Sequence, residues 1–122
     1  MTIRFFVVGV LFAATLTVNA GERLTIAVSP LQSFAPTNLI VRVHVAPDDA
    51  NRALEITADS GEYYRSSRMP LDGRDAPRTI TSELRSLPGG DYDVGVVLID
   101  STGHARAFAH QPVRILSSAG GD

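Results

Sequence analysis

The chain has 122 residues, a formal net charge of -2 at pH 7, and no cysteine. A slightly acidic chain lacks the basic surface that attracts nucleic acids and anionic membranes, so neither is expected as a partner. The absence of cysteine excludes disulfides, thiolate metal sites, thiol nucleophiles and acylation of an N-terminal cysteine. The apolar core and strand pairing must therefore hold the fold together.

Residues 1–20 have the pattern of a secretory signal peptide. Arg4 precedes an apolar run from Phe5 to Val18, and the segment ends at the small residue Ala20. The apolar run has about 14 residues, fewer than the roughly 20 that a membrane-spanning helix needs. We expect cleavage after Ala20 and export to the periplasm or the extracellular medium. The alternative is that this segment is retained as an N-terminal anchor.

The rest of the chain predicts one domain over residues 21–116. About 100 residues are enough for a single core and too few for two. Apolar residues that alternate with a period of two predict β-strands along this domain. A first strand ends before Pro30, and residues 29–37 predict a proline-bounded segment at a sheet edge.

The second and third strands have the clearest alternation. The inward side chains are expected to be Leu39, Val41, Val43 and Val45 in the second strand, and Leu54, Ile56 and Ala58 in the third.

The pattern is weaker in residues 62–77, which predict one short strand followed by a turn-rich return. Residues 79–84 predict the next strand. The last hairpin is expected to consist of residues 92–100 and 104–116. The small residues at 117–122 predict a disordered tail.

Tyr92 follows a turn at Leu87, Pro88, Gly89 and Gly90. In immunoglobulin-type sandwiches, a tyrosine in such a corner buries its ring while its hydroxyl bonds upstream backbone. This corner, together with about seven short strands, resembles the immunoglobulin-like or fibronectin type III class of domain. The resemblance covers residues 24–116.

The resemblance implies an all-β fold, namely an antiparallel immunoglobulin-like β-sandwich of about seven strands. It also implies a scaffold for binding or display. The chain departs from antibody-type domains because it has neither cysteine nor tryptophan. Leu54 or Ile56 must therefore fill the centre of the core.

One face of the last hairpin predicts an interaction surface. If Tyr92 points inward, then Val97 and Ile99 point outward, beside Phe108 on the final strand. Arg106 and His110 would border this apolar patch, as in an interface with an apolar centre and a polar rim. The alternative is that residues 62–77 fold back over this face and cover it with Tyr63, Tyr64 or Met69.

Other residues offer weaker signals for chemistry. His44, His104 and His110 lack the spacing of a metal site. Asp100, Ser101 and His104 have the residue types of a catalytic triad, but they lie in one turn, where Asp100 is better explained as the turn-starting residue.

Asp91 and Asp93 share one face but supply only two of the six to eight oxygens that calcium takes. We therefore expect no catalytic residue, no metal and no cofactor.

The segment 63–68 suggests a second kind of site. Tyr63 and Tyr64 have faces that stack on sugars, and Arg65 and Arg68 have guanidinium groups that bind carboxylates or phosphates. The sequence therefore favours a non-catalytic, exported protein-interaction module, whose partner is another protein or a second copy of this chain. The alternative is a periplasmic module that binds a small ligand or a glycan.

Overall fold

The computed structural model describes residues 23–117. The predicted signal peptide at 1–20 lies outside these residues, as do positions 118–122 of the predicted tail. Within the described range, no helix has the length and apolar character needed to cross a membrane.

Residues 23–117 form two β-sheets packed as a sandwich, with a 3-10 turn at Gly73–Asp75 as their one helical element. The strands are β1 (Leu24–Ser29), β2 (Gln32–Phe34), β3 (Thr37–Val45), β4 (Asn51–Asp59), β5 (Tyr64–Pro70), β6 (Thr79–Leu87), β7 (Gly90–Asp100) and β8 (Ala105–Leu116). This architecture confirms the expected all-β sandwich.

The smaller sheet has the strand order β1-β3-β6, and the larger has the order β2-β8-β7-β4-β5. All neighbouring strands are antiparallel except β2 and β8, which are parallel. The short strand β2 lies in the proline-bounded segment at 29–37. It raises the total to eight strands, one more than the pattern indicated.

The core lies between the two sheets, and the expected inward residues of β3 and β4 are buried there. Leu54 and Ile56 have no exposed surface and are paired with Leu98 and Val96 of β7. They occupy the middle of the larger sheet's inner side, so aliphatic side chains form the centre of a core that has no tryptophan.

Tyr92 forms the predicted corner. Its side chain is 2% exposed, and its hydroxyl donates a hydrogen bond to the carbonyl oxygen of Pro88 at 2.8 Å. Its ring meets the ring of Tyr63 edge-on, with 6.4 Å between the centroids. Burial raises the pKa of the Tyr92 phenol. The neutral hydroxyl is therefore the form that the fold favours.

Residues 62–77 do not fold back over the last hairpin, so the alternative of a covering segment with Tyr63, Tyr64 or Met69 as the cover is wrong in that form. Residues 64–70 form β5, which pairs with β4 along its length and extends the sheet sideways. The alternation of exposed and half-buried residues along β5 is typical of a strand at a sheet edge. This segment leaves Phe108 exposed on the face of β7 and β8, although its Arg68 and Pro70 lie beside Ile99.

Candidate functional site

The candidate site is the side of the five-stranded sheet that faces away from the core, which we call the outer face. On β7 and β8 it carries Asp91, Asp93, Gly95, Val97, Ile99, Phe108, His110, Pro112 and Arg114. Phe108 lies opposite Val97, and His110 lies opposite Gly95. Directly opposite residues share a face in an antiparallel pair, so the register brings these side chains together.

Phe108 is the prominent apolar side chain of this face, since 51% of its surface is exposed. Its ring lies over Gly95, because a Cβ atom added at Gly95 would be 3.4 Å from the ring atom Cε1. The ring also stacks on His110, with 5.4 Å between the ring centroids. Glycine within a strand leaves room for an aromatic ring from the neighbouring strand.

Charged pairs continue the outer face beyond the aromatic rings. His110 Nδ1 lies 3.0 Å from Asp93 Oδ1, and Arg114 Nε lies 3.0 Å from Asp91 Oδ1. All four side chains are substantially exposed, so each pair contributes little to stability, about 0 to 1 kcal/mol at most. On β8, therefore, His110 is the partner of Asp93 and Arg114 is the partner of Asp91.

Ile99 faces outward as the alternation predicts, but it is not exposed as an interaction surface would require. Only 8% of its surface is exposed. It forms part of the floor of a shallow groove together with Ala53, and Arg68 and Pro70 border the groove on β5. Neighbouring side chains of β4 and β5 therefore cover Ile99, and the exposed apolar surface of the site is smaller than predicted.

Arg106 is not a free charge at the rim, which corrects a second expectation. The β7–β8 register shifts after Leu98, so Ala107 and Ala105 face successive β7 residues and Arg106 is left between them. Its Nη2 atom donates to Asp48 Oδ2 at 3.2 Å, and its side chain is 21% exposed. Arg106 therefore ties β8 to the β3–β4 loop.

Asp48 is the acceptor at this junction. A hydrogen bond from the backbone N–H of Ala50, followed by the positive charge of Arg106, holds the pKa of the Asp48 carboxyl below its usual value. Its ionised form is therefore favoured, as the pairing with Arg106 requires. No sequence pattern linked position 48 to position 106, because the contact depends on the shifted register.

The residues of the alternative ligand site are divided between two environments. Arg65 donates from Nη2 to the Tyr63 hydroxyl at 2.9 Å and to the Arg85 carbonyl oxygen at 2.9 Å. Through the bond to Arg85, Arg65 connects β5 of the larger sheet to β6 of the smaller sheet. Tyr64 is 61% exposed and shares the outer side of β5 with Arg68, four positions away, a separation of about 13 Å along a strand. The four residues do not converge on one ligand.

The turn at Asp100 uses its polar groups internally. Asp100 Oδ1 accepts hydrogen bonds from Thr102 and His104, and Gly103 has a φ of 87°. The Thr102 hydroxyl in particular lowers the pKa of the Asp100 carboxyl. This is the turn that the sequence predicted, and Ser101 is not a hydrogen-bond partner of His104 in it.

The three histidines are far apart in the sandwich. His44 Nδ1 lies 2.9 Å from the Thr79 hydroxyl on the smaller sheet, whereas His104 and His110 belong to the last hairpin. Within residues 23–117, no three His, Cys, Asp or Glu side chains are grouped as metal ligands would be.

No protein-family model matches the chain, and no curated protein sequence matches it. Solved structures do resemble it. A superoxide reductase (neelaredoxin) from Ignicoccus hospitalis aligns with a TM-score of 0.56 at 15% identity, covering 88% of this chain and 89% of that one.

A family 76 glycoside hydrolase from a bovine Bacteroides thetaiotaomicron strain aligns with a TM-score of 0.54 at 16% identity. This chain is covered over 75% of its length, but it spans only 20% of that hydrolase. At such identities the likeness shows a shared β-sandwich fold and carries no activity across.

Proposed function

We propose that this chain is an exported, non-catalytic, immunoglobulin-like domain that binds a protein partner through the outer face of β7 and β8. The immunoglobulin-like assignment is supported by the tyrosine corner at Tyr92. It is also supported by the pairing of strands far apart in sequence, β3 with β6 in the smaller sheet and β4 with β7 in the larger sheet. Export is supported by the signal-peptide pattern at 1–20.

The observation that carries this proposal is the exposure of Phe108. A half-exposed aromatic ring, seated over Gly95 and stacked on His110, offers flat apolar area at a small cost in side-chain entropy. Aromatic side chains of this kind are enriched in the centres of interfaces. Val97 adds half-buried apolar surface beside the ring, and the pairs at Asp93 and Asp91 supply a polar border.

A non-catalytic role is supported by how the reactive residue types are used. His104 and Asp100 take part in the hydrogen bonds of one turn, and His110 is joined to Asp93 beside an aromatic ring. These contacts shape and border a surface. His104 Nδ1 lies 2.8 Å from the Thr102 hydroxyl, but that hydroxyl also donates to Asp100 Oδ1 at 2.6 Å and so serves the turn.

A double substitution of Val97→Thr with Phe108→Ser tests the proposed function. Both side chains lie outside the core cluster, so the free energy of unfolding should change by no more than about 1 kcal/mol. Binding of the partner should fall at least about tenfold, because the interface loses its aromatic centre. The measurement is capture of the partner from the native host by the immobilised variant.

Ile40→Thr is the matched control, since Ile40 is a half-buried β-branched residue on the outward side of β3 in the smaller sheet. It should leave binding unchanged. Equal binding by the parent and the double variant would refute the proposed face, and loss of binding in the control would move the interface to the opposite side of the sandwich.

A further inference from the structure

Strand β5 forms one edge of the larger sheet. It pairs with β4 along its whole length without a register shift, and no strand of the described residues lies on its other side. Within residues 23–117, β4 is also the one element with which β5 makes extensive contact. Arg65 does reach the Arg85 carbonyl on β6, but it lies opposite the buried Ala58 and so makes this contact from the core side of the strand.

Two hydrogen bonds set the direction of the backbone groups of β5. The Leu71 N–H donates to the Arg52 carbonyl at 2.8 Å, and the Ser60 N–H donates to the Tyr63 carbonyl at 3.0 Å. Leu71 and Tyr63 flank β5, and both direct their backbone groups towards β4 and its continuation. Because this direction alternates along a strand, the even-numbered residues of β5 point their backbone groups away from β4.

The open edge therefore has a defined set of bonding groups. Tyr64, Ser66 and Arg68 each present an N–H and a C=O there, whereas Pro70 presents only a C=O. Proline is tolerated in an edge strand where its missing N–H would face solvent, and this direction places Pro70 in that way. All four residues are exposed. A row of unpaired backbone groups is a template for another strand.

We propose that β5 binds an extended, carboxylate-bearing segment of a partner protein, which joins this edge as an antiparallel strand. This site goes beyond the proposed function, because β4 and β7 lie between β5 and the strand that carries Phe108. The chain would then have two binding surfaces, one at a sheet edge and one on the outer face of β7 and β8.

The charge of β5 selects the chemistry of the added strand. β5 carries Arg65 and Arg68 and no acidic residue. Arg65 donates to the Tyr63 hydroxyl as well as to Arg85, so the fold already uses its guanidinium. Arg68 lies opposite Glu55 of β4, yet it forms no ion pair with Glu55 or with any other described residue. Arg68 is therefore the residue that a carboxylate on the added strand would meet.

Antiparallel geometry gives the position of that carboxylate. Residues directly opposite one another share a face, so the side chain opposite Arg68 lies on the outer face beside the guanidinium. Four residues further along the added strand, a side chain lies opposite Tyr64, whose surface is 61% exposed. We expect an acidic residue at the first position and an apolar one at the second. Arg68 and Tyr64 are about 13 Å apart along β5, a distance that an extended strand of five residues spans.

The same charge disfavours a second copy of this chain as the added strand. Two β5 strands side by side would bring four arginines together and no acidic residue. Charged side chains at a sheet edge are one of the devices that prevent identical edges from pairing. A strand of opposite charge is not excluded in this way, so the arginines favour a different protein as the partner.

Peptide binding tests the site on the protein expressed from residue 1, so that native processing occurs. The probe is a seven-residue peptide of alternating threonine and valine in which glutamate replaces the first valine. With that glutamate opposite Arg68, the remaining valines lie opposite Ser66 and Tyr64. A peptide with lysine in place of the glutamate should bind at least about tenfold more weakly, because a repulsion replaces an attraction. The anisotropy of a fluorescent label on the peptide measures both affinities.

Substitutions in β5 separate the backbone from the charge. Ser66→Pro removes an N–H that points to the open edge and keeps the bonds to β4, so the fold should persist while peptide binding falls at least about tenfold. Ser66→Thr keeps the N–H and should bind like the parent. Arg68→Gln should abolish most of the preference for the glutamate peptide, and Arg68→Lys should retain it.

Amide hydrogen exchange provides a readout that does not depend on a variant. With the glutamate peptide bound, the N–H groups of Tyr64, Ser66 and Arg68 should exchange more slowly. The N–H of Ser67, which is opposite Ile56 and directed towards β4, should not change. Val97→Thr with Phe108→Ser should leave this protection intact, which separates the edge from the proposed interface on the outer face.

Four results would overturn the inference. One is unchanged exchange at 64, 66 and 68 up to millimolar glutamate peptide, and another is equal binding of the glutamate and lysine peptides. A third is slower exchange at these positions with rising protein concentration and no peptide, which would make a second copy the occupant. The last is peptide binding that survives Ser66→Pro but is lost in Val97→Thr with Phe108→Ser, which would move the peptide to the outer face.

Discussion

Tyr92→Ala should destabilise the domain by about 3 to 5 kcal/mol, which is a large part of the total stability of a domain of this size. The substitution removes a buried ring, its hydrogen bond to Pro88 and its edge-on contact with Tyr63. Thermal or denaturant unfolding monitored by circular dichroism measures the loss.

Tyr92→Phe separates the hydroxyl from the ring. It should cost only about 1 to 2 kcal/mol at neutral pH, because the ring stays buried and the Pro88 carbonyl loses one donor. If both variants melt like the parent, the tyrosine corner is not what holds the turn at residues 87–90.

The pH dependence of the same pair has a defined sign. Burial raises the pKa of Tyr92 in the folded protein, so the contribution of its neutral hydroxyl is fully present below the usual tyrosine pKa of about 10. That contribution is lost as the pH rises through the raised value. The parent should lose stability more steeply above about pH 10 than Tyr92→Phe does.

Leu54→Ala is the second substitution with a large expected effect, about 3 to 4 kcal/mol. Leu54 has no exposed surface and is paired with Leu98 at the centre of the larger sheet, so its truncation leaves a cavity in a close-packed core. Ile56→Val on the same strand removes one methylene and should cost about 0.5 to 1.5 kcal/mol.

Equilibrium unfolding in urea checks this ratio. Effects of the same size for the two substitutions, or a loss under about 1 kcal/mol for Leu54→Ala, would mean that the aliphatic centre does not fill the place that tryptophan takes in antibody-type domains.

Local alternation made much of the fold predictable. The inward sets of β3 and β4 follow from a period of two, because one buried face fixes which parity is apolar. Tyr92 was predictable for a related reason: a tyrosine two residues after the Pro-Gly-Gly turn can bury its ring and bond its hydroxyl to backbone just upstream. Both signals lie within a few residues of the structure that they specify.

Long-range features of the candidate site could not be predicted in this way. Alternation predicted that Ile99 points outward, but it could not predict whether Ile99 is exposed, because that depends on the neighbours that strand pairing brings from β4 and β5. Arg106 falls at a register shift, which moves its side chain towards Asp48. The contact of the Phe108 ring with Gly95 was indicated only by a glycine inside a long apolar strand. The β7–β8 register is needed to show that the ring lies over that glycine.

Site-specific photo-cross-linking from position 108 tests the central claim most directly. A benzophenone amino acid in place of Phe108 should cross-link to a protein in cells of the native host, either another protein or a second copy of this chain. The same group at Thr81, an exposed position on the outward side of β6 in the smaller sheet, should not. Cross-links from position 81 with none from position 108 would contradict the assignment of the interface to the outer face of β7 and β8.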